Sequence, residues 1–347
     1  MAGGSSMRVG VLVAPQRFEI REMPLPKPGP GDALLRVRAA LTCGTDLKAY
    51  LRGHPKWPMP TPFGHEFAGE IAAVGRGVSG FREGDEVMAT PTGPCNRCFW
   101  CERNQENLCE SLMGEMVLGG YGEYLILPER VLRVNVFAKP KALSFADAAL
   151  LEPLSCVVFG LEEIPIRPDD TVVLLGGGAI ALLHLAVLRA RGVEKVWVVA
   201  RKPQRIAAAR ELGAARIFET DATAVEPAIR EATAGRGADL VVECTGRKEV
   251  WEAAPRLARK GGEVVLFGGC PAGTEVTFGA TTLHYDQVRL RSPFHFTPRS
   301  VRAARELIAS GAIRGSVLFT ETGGLDGVEN ALRAMQAGVA IKCVVEP

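Results

Sequence analysis

The sequence predicts an α/β protein that combines a doubly wound parallel sheet with a second domain rich in β-strands. The chain has 347 residues, more than a single hydrophobic core usually serves. Short β-type runs punctuated by proline and glycine fill the first part, and from about residue 145 short apolar strands alternate with helices. Strands that are apolar on both faces and separated by helices are typical of a parallel sheet covered on both sides.

The composition is that of an ordinary globular protein. Apolar residues make up 47% of the chain, charged residues make up 23%, and the formal net charge is +2. This balance does not favour nucleic acid or an anionic membrane as a partner. No apolar run reaches the roughly 18 to 20 residues of a membrane span, and residues 1–6 lack the basic and apolar regions of a signal peptide. We therefore expect a cytoplasmic protein and treat residues 1–6 as a flexible lead.

The first domain is predicted to be an irregular β-rich domain. Its strands are separated by segments dense in proline and glycine, such as residues 24–31. A helix is predicted over residues 144–161, with Ser144 as the N-cap and Asp147 in the first turn. The predicted strands of this domain include residues 34–37, 70–74 and 124–127.

The second domain is predicted from the alternation of strands and helices, which we place at residues 153–290. The β-rich domain then comprises residues 7–152 and 291–347, and it ends with a helix at 299–310 and a strand at 341–345. Residues 275–278 are predicted as a further apolar strand that could add to a partner's sheet. The other predicted elements are strands at 171–175, 195–200, 240–243 and 263–267, and helices at 179–191 and 203–212.

Four of the nine cysteines lie within fifteen residues, at Cys95, Cys98, Cys101 and Cys109. Their spacing, C-x2-C-x2-C-x7-C, offers four soft ligands to a tetrahedral zinc ion. Because sulfur fills every position, no position is left for water, which indicates a structural zinc site. Two disulfides are disfavoured in a long chain without a signal peptide. A nucleic-acid-binding zinc finger is disfavoured because no basic cluster surrounds the loop.

Three separated segments carry further zinc-ligand types. Cys43 lies in C-G-T-D, His65 and Glu66 lie in G-H-E-F-A-G-E, and Glu152 lies in E-P-L. One thiolate, one imidazole and one carboxylate make a three-ligand zinc site with an open fourth position. Each segment alone also has a simpler interpretation, since a lone cysteine is usually a small buried residue and a lone histidine is usually satisfied by hydrogen bonds.

The predicted strand at 171–175 runs into the sequence G-G-G-A-I-A at 176–181, and a helix follows. In this G-x-G-x-x-A pattern Gly176 permits the tight turn, Gly178 lets a pyrophosphate approach the backbone, and Ala181 allows close helix–strand packing. The helix N-terminus adds amide donors and positive potential for the phosphates. The alternative is a glycine-rich turn without a cofactor. We assign Gly176, Gly178, Ile180 and Ala181 to dinucleotide binding.

Taken in order, these motifs resemble the zinc-containing medium-chain alcohol and polyol dehydrogenase family over residues 7–347. The resemblance implies a GroES-like catalytic domain beside a Rossmann domain, one catalytic and one structural zinc, and a homodimer or homotetramer. It places the catalytic zinc ligands on Cys43, His65 and a carboxylate, which is either Glu66 or Glu152. The carboxylate in E-P-L, where some alcohol dehydrogenases have sulfur, resembles the sorbitol and threonine dehydrogenase branch.

The end of the second Rossmann strand predicts the choice of cofactor. NAD-preferring members usually carry an acid there, but this strand ends at Ala200 and continues with Arg201 and Lys202. The guanidinium of Arg201 can bind a 2′-phosphate through two parallel hydrogen bonds, and Arg205 can contribute to the same interaction. We therefore expect NADP to be preferred over NAD, with solvated loop charges as the alternative. By resemblance, Thr245, Gly268 and Gly269 lie against the nicotinamide and its ribose.

The resemblance implies that zinc lowers the pKa of a substrate hydroxyl and that a hydride passes to the nicotinamide. Thr45 matches the hydroxyl that begins the family's proton relay, and capping of the following helix is its other interpretation. The substrate is expected to be a small alcohol or ketone, specifically a secondary alcohol or polyol. Residues 292–296 carry two aromatics and a histidine, which is less polar than a sugar-alcohol pocket would require. Apolar wall residues are expected at Tyr50, Leu51 and Trp57.

Three other functions stay open at this level. An NADPH-dependent carbonyl reductase would use the same fold in the reverse direction. A threonine dehydrogenase would carry a histidine shortly before the four-cysteine loop, where this chain has T-P-T-G-P at residues 90–94. A cofactor-binding structural protein would have lost its chemistry, which the intact ligand set argues against.

Overall fold

The protein is described here by a computed structural model that covers residues 6–347. The chain divides into two compact units, Met1–Ser155 with Phe296–Pro347, and Cys156–His295. The sequence placed these divisions after residues 152 and 290. Ser6 begins the first strand, so the flexible lead predicted for residues 1–6 is wrong at its last residue, and residues 1–5 lie outside the described part. Across residues 6–347, every helix is too short or too polar to cross a bilayer.

The N-terminal segment of the first unit is rich in strands, as predicted. Its helices are α1 (Gly44–Arg52), α2 (Glu129–Asn135), α3 (Phe145–Ala149) and α4 (Leu151–Gly160), the last of which continues into the second unit. Its strands are β1 (Ser6–Ala14), β2 (Arg17–Pro24), β3 (Ala33–Leu41), β4 (Thr61–Pro62), β5 (Glu66–Val74), β6 (Glu86–Ala89), β7 (Tyr124–Leu127) and β8 (Val136–Ala138).

The second unit alternates strands with helices, which confirms the prediction for this region. Its strands are β9 (Thr171–Leu175), β10 (Lys195–Val199), β11 (Arg216–Phe218), β12 (Ala238–Glu243), β13 (Ala258–Leu266) and β14 (Arg289–Arg291). Its helices are α5 (Ala179–Ala190), α6 (Pro203–Glu211), α7 (Glu226–Ala232), α8 (Lys248–Leu257) and α9 (Ala280–His284).

The C-terminal segment returns to the first unit. A capping box formed by Thr297 and Ser300 starts its first helix. The helix and strand predicted near residues 299–310 and 341–345 are both present. The elements are α10 (Pro298–Ala309), β15 (Phe319–Glu321), α11 (Val328–Ala337) and β16 (Lys342–Val345).

Two sheets build the first unit. The smaller has the strand order β2-β1-β4, and the larger has the order β15-β16-β3-β5-β6-β8, with β7 paired to β3. Large apolar side chains fill the core, among them Phe63, Phe67 and Tyr121, which are fully buried. Because β3 lies between β16 and β5, the loop that follows β3 is held next to residues from both neighbours.

One parallel sheet forms the second unit, with the order β11-β10-β9-β12-β13-β14. Numbered from β9, this is the 3-2-1-4-5-6 order of the Rossmann fold. Leu175 pairs with Val199 and with Glu243, and Glu243 pairs with Leu266. The four central strands therefore end at the same level, and the loops that follow them lie side by side. Ligands bind at this edge in open α/β sheets.

One predicted helix is wrong, and one predicted strand has no neighbour within its own chain. The helix over residues 144–161 is two helices that break at Leu150, although Ser144 caps the first one as predicted. In a continuous helix, Pro153 would clash with the carbonyl of Ala149, whereas α4 places this proline in its first turn. The segment 275–278 pairs with no strand within residues 6–347, and the backbone N–H of Thr277 donates to the side chain of Glu252. Its addition to a partner's sheet stays a prediction.

Candidate active site

Antiparallel pairing brings three of the predicted zinc ligands together in the first unit. Leu41 of β3 lies opposite Glu66 of β5, so the segment that follows β3 and contains Cys43 runs beside His65. The ligand atoms of Cys43, His65 and Glu66 all lie within 4.8 Å of one another. His65 and Glu66 are buried, and Cys43 is half-buried. One sulfur, one imidazole nitrogen and one carboxylate oxygen fit a zinc ion with an open fourth position.

Asp46, which the sequence did not reveal as a site residue, orients the His65 ring. Its Oδ1 lies 2.9 Å from Nδ1 of His65. Its Oδ2 accepts hydrogen bonds from Oη of Tyr121 at 2.7 Å and from the backbone N–H of Cys43 at 3.1 Å. Burial disfavours the charged imidazole, but Asp46 and Cys43 together outweigh burial and raise the pKa of His65. With Nδ1 held by a carboxylate, Nε2 is the nitrogen that is left for a metal.

The signal that could have revealed Asp46 is local. Cys43 is the N-cap of α1, and Asp46 completes a capping box by accepting from the Cys43 backbone. This spacing is known for serine or threonine caps followed by glutamate or glutamine. Because cysteine is not among the usual cap residues, the sequence pattern does not predict this capping box.

A second unpredicted residue, Lys342 of β16, forms a buried ion pair with Glu66. The Lys342 ammonium contacts Oε2 of Glu66 and donates to the backbone oxygen of Thr42 at 2.9 Å. Oε1 of Glu66 is buried and has no hydrogen-bond partner. Burial raises the pKa of Glu66, and the charge of Lys342 opposes that shift. An orphaned carboxylate oxygen beside Cys43 and His65 fits a metal-ligand role, since buried polar atoms otherwise find partners.

Glu152 lies near this group but is not part of it. It occupies the first turn of α4, and its carboxylate oxygens are not clustered with the ligand atoms of Cys43, His65 and Glu66. Burial raises the pKa of Glu152 to about 7, an effect that His65 opposes and Glu66 reinforces. Of the two carboxylates that the sequence left open, the geometry favours Glu66 as the ligand. Glu152 is a neighbouring acid whose charged form is disfavoured by burial.

Thr45 lies in the first turn of α1, and its backbone N–H donates to Sγ of Cys43 at 3.4 Å. Because Cys43 is the cap of this helix, helix capping does not explain Thr45. Of the predicted wall residues, Trp57 is buried with its ring 5.6 Å from that of His65. The hydroxyl of Tyr50 donates a hydrogen bond to Glu329, and Leu51 packs against the core of this unit.

The four-cysteine loop forms a second metal-ligand cluster. The four sulfurs all lie within 4.8 Å of one another, and the nine cysteines of the chain are all free of disulfides. Sγ of Cys101 lies 3.5 Å from that of Cys98 and 4.0 Å from that of Cys95. Four sulfurs at about 2.3 Å from one zinc ion would lie about 3.8 Å apart at the corners of a tetrahedron. A disulfide would require about 2.0 Å.

Nearby donors stabilise negative charge on these sulfurs. Backbone hydrogen bonds, chiefly from Cys101, lower the pKa of Cys98 to about 6. Burial raises the pKa of Cys101 itself to about 12. Arg130 fixes the base of the loop by donating to the backbone oxygen of Gly93 at 2.6 Å, and its Nη2 lies 3.9 Å from Sγ of Cys109. The thiolates that zinc requires are therefore partly prepared by the fold.

The glycine turn has the geometry of a phosphate-binding loop. Gly176 has φ of 118°, a conformation that side chains other than glycine rarely adopt. Gly178 caps α5, and the space in front of its Cα is open. Ala181 is fully buried against the sheet, as the small third position predicts, and Ile180 is half-buried in the first turn of α5. A Cβ on Gly177 would lie 3.0 Å from Cβ of Arg205, a constraint that the motif does not reveal.

Arginines surround the end of β10, where Ala200 is buried. Nε of Arg205 is buried without a hydrogen-bond partner beside the glycine turn, which fits an anion that would supply one. Arg201 is exposed and pairs with Asp221 at 3.2 Å, and Arg247 pairs with the same carboxylate at 3.0 Å. The sequence did not predict Asp221, because it follows another strand.

A buried glutamate, Glu243, joins the loops after β12 and β13. Its Oε1 accepts from the backbone N–H of Thr245 at 2.6 Å and from that of Gly246 at 3.1 Å, and it also contacts the Thr245 hydroxyl. A Cβ on Gly268 would collide with the backbone of Gly246. The space before Gly269 is open. One carboxylate that the sequence left unassigned therefore holds the loop after β12, which contains Thr245, a residue predicted to lie near the nicotinamide.

The predicted pocket segment, residues 292–296, lies where the chain passes from the second unit to the first. Ser292 donates to the backbone oxygen of Leu266 at 3.2 Å. Phe294 is exposed, His295 has a positive φ of 63°, and Phe296 is buried.

Two family models match the chain. Residues 29–136 match the alcohol dehydrogenase GroES-like domain, and residues 179–310 match the zinc-binding dehydrogenase domain. A Rossmann sheet and a cysteine–histidine–glutamate group define the class as an oxidoreductase that depends on zinc and a nicotinamide cofactor.

Individual relatives span nearly the whole chain. Sorbitol dehydrogenase of Bacillus subtilis is 29% identical, covering 99% of this chain and 98% of the relative. D-xylulose reductase A of Aspergillus oryzae is 30% identical, covering 96% and 95%. The crystal structure of a zinc-binding dehydrogenase from Sinorhizobium meliloti 1021, bound to NADP, superposes with a TM-score of 0.89 at 30% identity over 99% of this chain and 100% of that one.

These matches establish the family. The chain belongs to the zinc-containing medium-chain alcohol and polyol dehydrogenases, enzymes that use NAD(P) and small-molecule alcohols.

Proposed function

We propose that this enzyme oxidises a secondary alcohol or polyol, prefers NADP, and carries two zinc ions per chain. The observation that carries the proposal is the buried group of Cys43, His65 and Glu66, whose ligand atoms lie within 4.8 Å of one another. The second zinc belongs to the four-cysteine loop, where the sulfur spacing suits a tetrahedral ion. Sulfur at every corner of that site leaves no position for a substrate, so the chemistry belongs to the first group.

The residues of the first group have separable roles. Asp46 holds Nδ1 of His65 so that Nε2 is left for a metal, and Cys43 and Glu66 would supply negative charge to balance a bound zinc ion. Zinc bound there would polarise a substrate hydroxyl, and the nicotinamide would accept the hydride. Thr45 offers a hydroxyl two residues from Cys43 for the departing proton. The carboxyl of Glu152, with its pKa raised to about 7 by burial, can hold or release a proton at neutral pH.

The preference for NADP rests on arginines at the end of β10. Arg205 has a buried Nε without a partner, and Arg201 carries an exposed guanidinium next to Ala200. A 2′-phosphate would accept hydrogen bonds from both. Asp221 opposes this preference, because its carboxylate already pairs with Arg201 and would repel a phosphate. We expect the two cations, Arg201 and Arg205, to outweigh the single acid, Asp221, and NADP to be preferred.

A carbonyl reductase working mainly in the reverse direction is the second candidate, and the same arginines favour it because they select NADPH. A panel of secondary alcohols, polyols and amino alcohols, and of the matching ketones, tests both directions with NADP and NAD. Alcohol-dependent formation of NADPH supports the proposal. Turnover of ketones alone supports the reductase, and turnover of L-threonine above all others would support a threonine dehydrogenase. Self-association as a homodimer or homotetramer and a cytoplasmic location stay predictions, the first testable by light scattering.

A further inference from the structure

Lys342 is a buried cation beside the proposed zinc site. It is 1% exposed, and its ammonium lies against Oε2 of Glu66 and donates to the backbone oxygen of Thr42. Antiparallel pairing fixes this position, since Val344 lies opposite Leu41 and β16 therefore begins, at Lys342, beside the loop that carries Cys43. Removing two charges from water carries a desolvation cost that their mutual attraction must offset. A hydrophobic pair would serve stability equally well, which points to a role in the chemistry.

The two oxygens of Glu66 are not equivalent. Oε2 is occupied by Lys342, whereas Oε1 is buried without a partner. A carboxylate with both oxygens free can bind a metal through both. At a site with three protein ligands, such binding would occupy the fourth position, which the substrate needs.

We propose that Lys342 is a positioning residue that holds Oε2 of Glu66 away from the metal, so that Glu66 binds zinc through Oε1 alone and the fourth coordination position stays open. This inference rests on the proposed zinc site at Cys43, His65 and Glu66. The ammonium also places a positive charge near the ion and so weakens its retention. Lys342 therefore lowers zinc affinity and keeps the site accessible to substrate.

The test is the rate at which a chelator removes the catalytic zinc from Lys342→Met and wild-type enzyme, followed by the absorbance of the zinc–chelator complex. Without the ammonium, Glu66 can use both oxygens, and release should slow by about tenfold, the scale on which outer-sphere partners change metal affinity. The KM for the alcohol should rise more than kcat falls, because substrate must displace Oε2. A Cys43→Ser variant identifies which of the two zinc pools is catalytic.

Lys139→Met is the matched control. Lys139 is also a buried lysine of the same unit, paired with Glu86 at 3.0 Å and donating to the backbone oxygen of Leu143 at 2.6 Å. Its loss should lower stability while zinc release and KM stay at their wild-type values. If Lys342 only stabilises the fold, Lys342→Met will loosen the site and release zinc as fast as wild type or faster, and that result overturns the inference.

The double variant Glu66→Gln with Lys342→Met covers the case in which Lys342→Met does not fold, because it removes both members of the ion pair. Glutamine offers a single oxygen, so zinc should leave about tenfold faster than from wild type, while the KM for the alcohol stays near the wild-type value. A KM raised in the double variant as well would contradict the role of Oε2. A wild-type enzyme that holds only one zinc would instead refute the proposed site itself.

Discussion

Oδ1 of Asp46 lies 2.9 Å from Nδ1 of His65, and both side chains are buried. The contact joins the first turn of α1 to the residue before β5, and Tyr121 fixes the other oxygen of the carboxylate. A carboxylate that accepts from one nitrogen of an imidazole sets the tautomer and the ring orientation, and it makes the other nitrogen a better metal ligand.

Asp46→Asn should lower kcat/KM by about 10- to 100-fold, the loss typical of such outer-sphere partners. The amide has the same shape but no charge, so the imidazole loses orientation and basicity while the fold stays intact. Steady-state kinetics and zinc content per chain measure the effect. Asp85→Asn changes a half-buried aspartate of the same unit that accepts from the backbone of Arg82, and it should leave both quantities unaltered. Wild-type kinetics in Asp46→Asn would show that Asp46 does not support His65 as a zinc ligand.

Some parts of the candidate site could be predicted from the sequence, and others could not. The four-cysteine loop and the glycine turn are local, and their spacing alone predicted clusters that the structure shows. Lys342 and Glu66 are 276 positions apart, and only the register of β16, β3 and β5 joins them. No local pattern contains that information. The same is true of Asp221, which reaches Arg201 from the loop after β11.

The errors in the fold have a similar origin. The break at Leu150 depends on where the ring of Pro153 can be accommodated, and a helical pattern alone does not locate it. The apolar run at 275–278 has the residue types of a strand, but Phe278 packs against the core of its unit and no strand pairs with it. Residue type predicts the partial burial of Phe278, but it does not predict which strand pairs with the segment, because pairing depends on which neighbour is available.

Arg201→Ser should lower kcat/KM for NADP by about 10- to 100-fold and leave that for NAD within a factor of two or so, since a charged hydrogen bond contributes about 1.5–3 kcal/mol. Both constants are measured with one alcohol, and their ratio is the informative quantity. Arg210→Ser, which lies on α6 and pairs with Glu219, is the control and should not change the ratio. Equal losses for both cofactors would contradict phosphate recognition by Arg201.

Glu243→Gln should weaken the binding of NADP and NAD alike by about tenfold, because one charge-assisted acceptor for the loop after β12 is lost. The dissociation constants can be followed by nicotinamide fluorescence without any turnover. Glu211→Gln changes an exposed glutamate of the same unit and should bind as wild type does. An unchanged affinity in Glu243→Gln would show that the loop does not depend on this carboxylate.

His184 predicts a pH dependence of stability in the second unit. It is fully buried, and burial lowers its pKa to about 4. Between about pH 4 and pH 6.5 the unfolded chain therefore binds a proton that the folded chain does not, and the free energy of unfolding falls as the pH decreases. The expected loss is about 3 kcal/mol, at about 1.4 kcal/mol for each pKa unit.

Urea unfolding at several pH values measures this effect in wild type and in His184→Leu. Between pH 7 and pH 4 the free energy of unfolding should fall less in the leucine variant than in wild type. The difference between the two is the contribution of the proton that His184 binds in the unfolded chain. Parallel curves for the two proteins would show that His184 titrates normally in the folded state.

The most direct test of the account combines zinc analysis by mass spectrometry with NADP reduction in wild type, Cys43→Ser and Cys95→Ser. Wild type should contain two zinc ions per chain and reduce NADP with a secondary alcohol. Cys43→Ser should retain one zinc and lose that activity. Cys95→Ser should lose the other zinc and unfold at a lower temperature. Full alcohol-dependent activity in a Cys43→Ser protein that retains a single zinc would contradict the account.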